Sequence, residues 1–410
     1  MSSPSSPKVQ HPGHVEILGV FIEKFQGKSE ITDFFVEFNI KTSIADTTAI
    51  GTFTIIDAKN ILSNLPIESG DKMEIKIGYM DGVKTLKMRI VEINRITNAD
   101  RQRAYVIECV SELQFNSFFN KISRHYEGTT SEIAKAIFDQ FTHEEVGIWD
   151  QSANVQSLVI PNWSPMRAIK WLAMRSKAYF DDVTFRFWQD ANLRYNFTPV
   201  EKINEIYADA PLTFSYNNDT RREQKGNNDS VSNSPSAVRS ILNLKYLDSF
   251  NIKEAVPMLK KVKYNIDTTQ NTTRIVTYDH WREFNEKDYL NKVSLWAFAD
   301  YGQGDITINS LATRTIDTFE RNEVESFASN LISRLGDAQK IEIQVVGTQT
   351  IDIGQVVNVE IPSPEPPSET QPDQLDLRWS GRYYVVAIRN VFNLDGQQTY
   401  LELAKESLVV

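Results

Sequence analysis

Two segments near opposite ends of this chain share one pattern, and that repeat limits the possible folds more than any other feature. Residues 67–77 read IESGDKMEIKI and residues 351–361 read IDIGQVVNVEI, so both fit I-x-x-G-x-x-[MV]-x-[IV]-x-I. Further on, IVEINRITNADRQRAY (90–105) matches VVAIRNVFNLDGQQTY (385–400). Ungapped, Ile93 falls on Ile388, Asn98 on Asn393, Asp100 on Asp395, Gln102 on Gln397 and Tyr105 on Tyr400. The first pair of segments is offset by 284 residues and the second by 295. The difference is about the length of SPEPPSETQPDQ (363–374), an acidic, Pro-rich loop that cannot pack and that only the second copy carries. In each copy a glycine, Gly70 or Gly354, opens a turn. A half-buried strand and a long hairpin with Asn-x-Asp at its tip follow. Two related β-domains, one near each end, are expected, with other material between them.

That intervening material is α+β. In LVIPNWSPMRAIKWLAMRSKAYFDDVTFRFWQDANLRYNF (158–197), a strand over Leu158–Ile160 is expected to stop at Pro161. Ser164 offers an N-cap oxygen and Pro165 suits the first helical position, where its missing N–H costs nothing. Met166, Ile169, Leu172 and Ala173 then share a helical face. After Asp181-Asp182, Val183, Phe185 and Phe187 alternate with Thr184, Arg186 and Trp188, the period of a strand with one buried face. A turn over Gln189–Asn192 leads to a partner strand with Leu193, Tyr195 and Phe197 on one side. Upstream, Thr129 and Glu132 form a capping-box signature ahead of Ile133, Ile137, Phe138 and Phe141.

The N-terminal part reads as six strands at about 15–25, 31–43, 49–57, 72–79, 84–96 and 103–111, with a tight-hairpin signal at Asp81-Gly82. Strands are also expected over Val262–Ile266 and Arg274–Trp281, and at about 340–347, 355–361, 380–392 and 397–405. A helix marked by Val324, Phe327, Leu331 and Leu335 should end at Gly336. The fold class is mainly β with an α+β insertion: two β-barrel domains in tandem plus inserted α+β domains. The expected division begins with a disordered N-terminus (1–13), a first barrel domain (14–115) and an α+β domain (116–216). A flexible polar loop (217–237) and the first part of the second barrel (238–285) follow. A further α+β insertion (286–320) precedes the rest of the second barrel (321–410).

Several function classes are disfavoured. A net charge of −10 argues against a nucleic-acid-binding face, which needs basic residues. The N-terminus MSSPSSPKVQHPG lacks the apolar core of a signal peptide, and no apolar run approaches membrane-spanning length. The chain is expected to be made in cytoplasm. The single cysteine, Cys109, reads as a small buried hydrophobe. The five histidines, His11, His14, His125, His143 and His280, have no metal-site spacing, and no nucleotide or hydrolase motif occurs. His143-Glu144-Glu145 reads as a solvated helix end. No catalytic residue, cofactor or metal ligand is assigned.

Taken in order, these segments resemble the central baseplate hub proteins of contractile-tailed bacteriophages, a family related to the hub part of type VI secretion spikes. IIDAKNI (55–61) is similar to that family's strand-to-helix corner, and IPNWSPMRAIKWLA (160–173) to its Pro-Trp-x-Pro helix start. FRFWQD (185–190) and YYVVAIRNVFNLDGQQTYLELA (383–404) complete the likeness, over about residues 15–407. Gly70, Gly354, Trp163, Pro165, Trp171, Trp188 and Asp190 are its structural signature here. The resemblance implies tail-tube-like barrels, two per chain. A homotrimer then forms a pseudo-six-fold ring that adapts a six-fold tail tube to a three-fold central spike around the DNA passage. It implies a non-enzymatic virion protein of the tail baseplate. Its partners would be the tail tube protein and the spike trimer, with baseplate wedge and tape measure proteins as further neighbours. Sequence-specific nucleic-acid binding and membrane insertion are not expected. An acidic lumen would let DNA slide. The hairpins around Asn98, Asp100 and Gln102, and around Asn393, Asp395 and Gln397, are candidate tube-facing or subunit-facing edges.

The secretion-system relatives continue into a small barrel and a β-helical needle. This sequence stops at Val410, so the needle is expected to be a separate polypeptide. Three alternatives remain. One is the hub of an extracellular contractile injection system or a tail-derived bacteriocin, told apart by genomic neighbours. The second is a carbohydrate- or peptidoglycan-binding module using tryptophans such as Trp163. The third, a glycoside hydrolase, needs two carboxylates across a groove.

Overall fold

The glycine turn of the repeat is built the same way in both copies. The computed structural model describes residues 15–24, 27–57, 67–79, 82–99, 102–153, 155–178, 185–200, 202–203, 211–216, 239–248, 260–267, 272–279, 293–294, 339–347, 351–364, 375–394, 396–405 and 407–408. In the first copy the Gly70 N–H donates to the Ile90 carbonyl at 2.8 Å, and the Ile90 N–H returns a bond to the Asp71 carbonyl at 2.9 Å. In the second copy Gly354 donates to Val385 at 2.8 Å and Val385 donates to Gln355 at 2.9 Å. The residue after each glycine also closes the turn with its side chain. Asp71 Oδ2 accepts from Glu68 N at 3.0 Å, and Gln355 Oε1 accepts from Asp352 N at 3.2 Å. Gly70 has φ +100° and Gly354 φ +86°, a conformation that only glycine adopts readily.

The first copy comprises β1 (Glu16–Lys24), β2 (Gly27–Glu30), β3 (Phe35–Ser43), β4 (Ile50–Asp57), β5 (Lys72–Tyr79), β6 (Gly82–Ala99) and β7 (Gln102–Val110). Alternate residues of these strands, among them Val20, Ile22, Phe38, Phe53, Ile75 and Ile107, fill one core, as the period of two requires. The α+β insertion comprises α1 (Glu112–Phe119), β8 (Ile122–Thr129), α2 (Thr130–Phe141), β9 (Val146–Trp149), β10 (Val155–Trp163), α3 (Pro165–Ala173), β11 (Phe185–Gln189) and β12 (Tyr195–Pro199). After it come β13 (Thr213–Ser215), β14 (Arg239–Asp248), β15 (Lys260–Asp267), β16 (Thr272–Asp279), β17 (Val293–Ser294), β18 (Gln339–Val346), β19 (Val356–Glu360), β20 (Gly381–Asn393), β21 (Gly396–Lys405) and β22 (Ser407–Leu408).

Strand order repeats between the copies. The first runs β3-β4-β7-β6-β5-β1 and the second β14-β18-β21-β20-β19-β13. In the second, β13 lies parallel to both β14 and β19 and closes a six-stranded barrel. In the first, β1 is antiparallel to β5 and carries β2 on its other side. Among the described residues no ladder joins β1 to β3, and the Ile31 N–H reaches the Val20 carbonyl at 2.8 Å beside that gap. The two copies are fused into a thirteen-stranded sheet because β20 is long. Its start pairs with β19, and its end, Ala387–Asn393, pairs with β3. β15 and β16 form a hairpin of their own, and β17 pairs with β22.

Several expectations need correction. β10 passes through Pro161 to Trp163 because, among the described residues, its sheet has two strands, so the proline meets Ser123 on one side with a bulge after it. Ser164 sits at the N-cap of α3 but makes no capping bond with its side chain. Ser117 serves instead, accepting from Met166 N at 3.2 Å and donating to the Leu113 carbonyl at 2.8 Å. The Thr129–Glu132 capping box forms as expected. β11 is buried on both faces rather than one. Leu193 lies in the turn before β12, at φ +62°. The match of Tyr105 to Tyr400 does not survive folding. Ile107 pairs with Ile93 while Leu401 pairs with Ile388, because a bulge between Asn94 and Thr97 moves the return strand by one residue. Tyr105 is 3% exposed and donates to Asp57 Oδ2 at 3.2 Å, whereas the Tyr400 ring lies under the Arg389 guanidinium. The 324–336 helix, the 217–237 loop, Asp181–Val183 and the first fourteen residues lie outside the described residues. So do 58–61 and 365–374.

Candidate assembly surfaces

The run FRFWQD joins three cores. Phe185 and Phe187, with Tyr195 and Phe197 across the hairpin, belong to the core of the insertion. Trp188, one residue on, points the other way into the second barrel among Ile203, Phe214 and Ile353, and is 1% exposed. Gln189 reaches the first barrel: its Oε1 accepts from Ala49 N at 3.0 Å and its Nε2 donates to the Leu193 carbonyl at 2.8 Å. Asp190 holds the turn by accepting from Asn192 N at 2.8 Å, Arg194 N at 2.9 Å and Arg194 Nε at 3.0 Å. Beside it, Lys84 Nζ donates to the Ala191 carbonyl at 3.0 Å. Burial lowers the Lys84 ammonium to about 8, Asp190 and Asp352 pulling the other way and Arg194 adding to the fall.

A second polar joint ties the insertion to the first barrel. Ser111 Oγ lies 2.5 Å from the Tyr195 hydroxyl and 2.7 Å from Thr48 Oγ1. Burial pushes the Tyr195 phenol well up. Glu144 is not a solvated helix-end residue. Its carboxylate accepts from Glu112 N at 3.1 Å and Leu113 N at 2.9 Å, where the positive end of α1 attracts an anion. Burial raises its carboxyl, while those two N–H donors and the Thr142 hydroxyl pull it down.

Glu144 lines a cleft of about 610 Å³ between the first barrel and the insertion, together with Glu74, Arg89, Glu112, His143 and Glu145. Three of its carboxylates, Glu74, Glu112 and Glu144, are engaged in structure. Glu74 faces Lys28 at 2.6 Å, Lys76 at 3.8 Å and Lys87 at 4.0 Å, and Glu112 pairs with Arg89 at 2.8 Å. Among the described residues no group of three or more His, Cys, Asp or Glu could hold a metal ion. Cys109 is wholly buried, and burial pushes its thiol up. No helix among the described residues is long and apolar enough to cross a membrane.

Trp163, the last residue of β10, and Trp171, in α3, are packed against each other. Trp163 and Trp171 meet edge-to-face at 5.3 Å, with Arg167 over the first ring at 4.7 Å and Arg175 over the second at 4.1 Å. One face of each ring is thus taken by a guanidinium, where a sugar would stack. Pro165 occupies the first turn of α3.

The repeat hairpins end differently. In the first, Ala99 pairs with Gln102, so the turn is residues 100–101, outside the described residues. In the second, Asn393 pairs with Gly396 around residues 394–395, and Asn393 Oδ1 accepts from Gly396 N at 2.9 Å. Gln397 does not face outward. It is 5% exposed, and its Nε2 donates to Asn390 Oδ1 at 3.0 Å. Asn98 and Gln102 stand on strands β6 and β7, and Asp100 and Asp395 lie outside the described residues. No ladder among the described residues brings the two hairpin tips together. The Gln189 joint and the Glu144 cap escaped sequence reading because both bind backbone groups far away in the chain.

No family model matches the chain, and no curated protein matches it by sequence. Solved structures do. The tail protein from Neisseria meningitidis MC58 matches with a TM-score of 0.55 at 12% identity, over 95% of this chain and 96% of that one. The chain has the fold of a tail protein. The 43 kDa tail protein of prophage MuSo2 from Shewanella oneidensis shares the tail-protein fold at a TM-score of 0.54 and 10% identity, over 95% of this chain and 98% of that one. A component of the E. coli type VI secretion system matches at 0.46 and 8% identity, over 96% of this chain and 77% of that one. The first two likenesses show the tail-protein fold and leave the role to be argued from the surfaces.

Proposed function

We propose that this chain is the structural hub of a contractile phage tail baseplate. Three copies form a ring of six barrels around the DNA passage. The ring meets a six-fold tail tube protein on one side and a three-fold central spike on the other, with wedge and tape measure proteins as further neighbours. The supporting observation is the duplication itself: two six-stranded units of the same strand order, the second closed into a barrel, with the same glycine turn, fused by one ladder in one chain. A chain with two like units gives six places from three copies under closed symmetry. The role is one of architecture and not catalysis. The cleft carboxylates Glu74, Glu112 and Glu144 are held by lysines, an arginine and backbone N–H groups respectively, which suits structure better than acid–base chemistry. The outward face of the fused sheet carries Glu37, Lys41, Lys340, Glu342, Arg389 and Glu402, so it is mixed in sign and gives no support to an acidic lining.

Electron microscopy of the purified chain, with mass determination on the same sample, tests the proposal. A trimer with a central hole and six similar lobes is expected. A compact monomer, with or without a spike protein added, would overturn it.

A further inference from the structure

The helices α1 and α3 of the insertion pack together, with Ser117 of α1 accepting from Met166 N at 3.2 Å. Each helix commits one face to the core, where Leu113 of α1 and Ile169 and Leu172 of α3 are fully buried. A second stripe of each helix borders a groove of about 570 Å³. On α1 it is Gln114, Ser117 and Phe118, with Lys121 just past the helix end. On α3 it is Arg167, Lys170 and Trp171, with Met174 at the C-cap. Both stripes run at i, i+3, i+4 and i+7, the spacing that lines residues up along one side of a helix.

The groove joins apolar surface to positive charge. Phe118 is 48% exposed and its neighbour Phe119 73%, so the α1 side offers aromatic surface to solvent. Met166, Trp171 and Met174 continue that surface, and methionine adapts its shape to whatever lies against it. Beside it stand Lys121, Arg167 and Lys170, and no carboxylate is among the described residues that line the groove. Glu112, the acidic residue of α1, is turned to Arg89 of the first barrel at 2.8 Å, and α3 has no acidic residue. Among the described residues neither Lys121 nor Arg167 has a carboxylate partner, and Lys170 Nζ donates to a carbonyl, that of Ala45, at 3.1 Å. In a chain of net charge −10, three cations around one groove without a counter-charge stand out. The Arg167 guanidinium is also set in place. It stacks on Trp163 at 4.7 Å, which fixes its plane and leaves its fork of N–H donors for a carboxylate.

We propose that this groove docks an acidic amphipathic segment of another protein. Apolar side chains of the segment lie against Phe118, Trp171 and the two methionines, and its Asp or Glu side chains meet Arg167, Lys121 and Lys170. Shape and charge both favour this occupant. Two helices side by side leave a trough that receives apolar anchors spaced along a helix. A carboxylate bonds bidentately to a guanidinium held as Arg167 is. An anionic bilayer fits less well, because the net charge of −10 repels it and the cations border a concavity and not a flat face. The groove is complete in one chain, so the proposal stands apart from the trimeric ring.

The test is selection from a random peptide library on the immobilised full chain, followed by fluorescence anisotropy of the enriched peptides. Sequences that set Asp and Glu beside Leu, Phe or Trp are expected. The double variant Arg167→Glu, Lys121→Glu should bind them about tenfold more weakly or worse, and should itself select peptides rich in Lys and Arg. Both residues are exposed, and an acid in the first turn of α3 agrees with the helix dipole, so the variant should fold. Phe118→Ala should weaken the same peptides about fivefold without changing the charge preference. A selection that enriches nothing, or peptides with no acidic bias, would overturn the proposal. So would acidic peptides that bind the double variant and the unaltered chain equally. Displacement of the peptides by phosphatidylglycerol vesicles, but not by phosphatidylcholine vesicles, would overturn it in favour of a bilayer.

Discussion

The first and second barrels are alike in five strands and one turn, and they part at the sixth strand. In the first barrel that place is taken by β1, nine residues long and antiparallel to β5. In the second it is taken by β13, three residues long and parallel to both neighbours, reached after the chain has built the insertion. The difference shows which part of the unit is fixed. The glycine turn and the long hairpin keep their hydrogen bonds because a one-residue slip would turn every buried side chain outward. The entry strand is free to change direction because it needs only to cover a gap.

The sharpest way to break this comparison is to remove a side chain that one element lends to another barrel's core. Trp188→Ala should destabilise the second barrel by about 3–5 kcal/mol, although Trp188 belongs to the insertion. Phe392→Ala should cost a similar ~3–5 kcal/mol, yet in the first barrel, because Phe392 stacks on Phe38 at 5.8 Å. Hydrogen exchange reads the location. Faster exchange in β18 and β19 is expected for the first variant, and in β3 and β4 for the second. The reverse pattern would mean that the cores are not divided as described.

Next come the turns. Gly70→Ala and Gly354→Ala should each cost about 1–3 kcal/mol in urea unfolding, since both require positive φ. The second should cost more. A methyl group there would meet Ile203 Cδ1 at 3.2 Å and Val200 Cγ1 at 3.5 Å, against Phe115 Cζ alone at 3.3 Å in the first. A neutral result at either position would end the equivalence of the copies.

Lys84 sharpens the comparison where the barrels approach each other. Its folded value of about 8 lies below the ordinary 10.5, so the unfolded chain holds the proton more tightly between them. Stability should rise by up to about 3 kcal/mol as pH goes from 8 to 10.5 and be lost again as pH falls through 8. Lys84→Met should flatten that slope in thermal melts. A slope unchanged in the variant would assign it to other groups. The smallest effects are at helix caps outside the barrels. Thr129→Ala should cost about 1 kcal/mol, and Ser164→Ala, which breaks no capping bond, less than about 0.5 kcal/mol.

Much of the fold was legible because it is local. Six of the seven N-terminal strands, the capping box and the helix after Pro165 follow from alternation, spacing and turn residues that a short window contains, whereas the short β2 (Gly27–Glu30) was missed and Thr32–Phe34, expected within a strand at 31–43, forms a 3-10 turn. What was missed depends on partners distant in sequence. Pro161 continues a strand because, among the described residues, that strand has one neighbour. Ser117, forty-nine positions before Met166, takes from its N–H the bond that Ser164 was expected to make. Arg186 and Trp188 looked like a solvent face, yet both are buried, Trp188 in the core of the second barrel. Of the candidate interface residues, Gln397 turns inward because Gly347 leaves room for it and Asn390 receives its amide.

The long strand β20 also has a mechanical consequence. A pull that separates the barrels along its axis loads the seven registered pairs between Ala387 and Asn393 in shear, so that they must give way together. A pull at right angles to that axis would peel the same pairs one at a time and meet far less resistance. The chain is therefore stiff in one direction and compliant in another, as a rivet seam is.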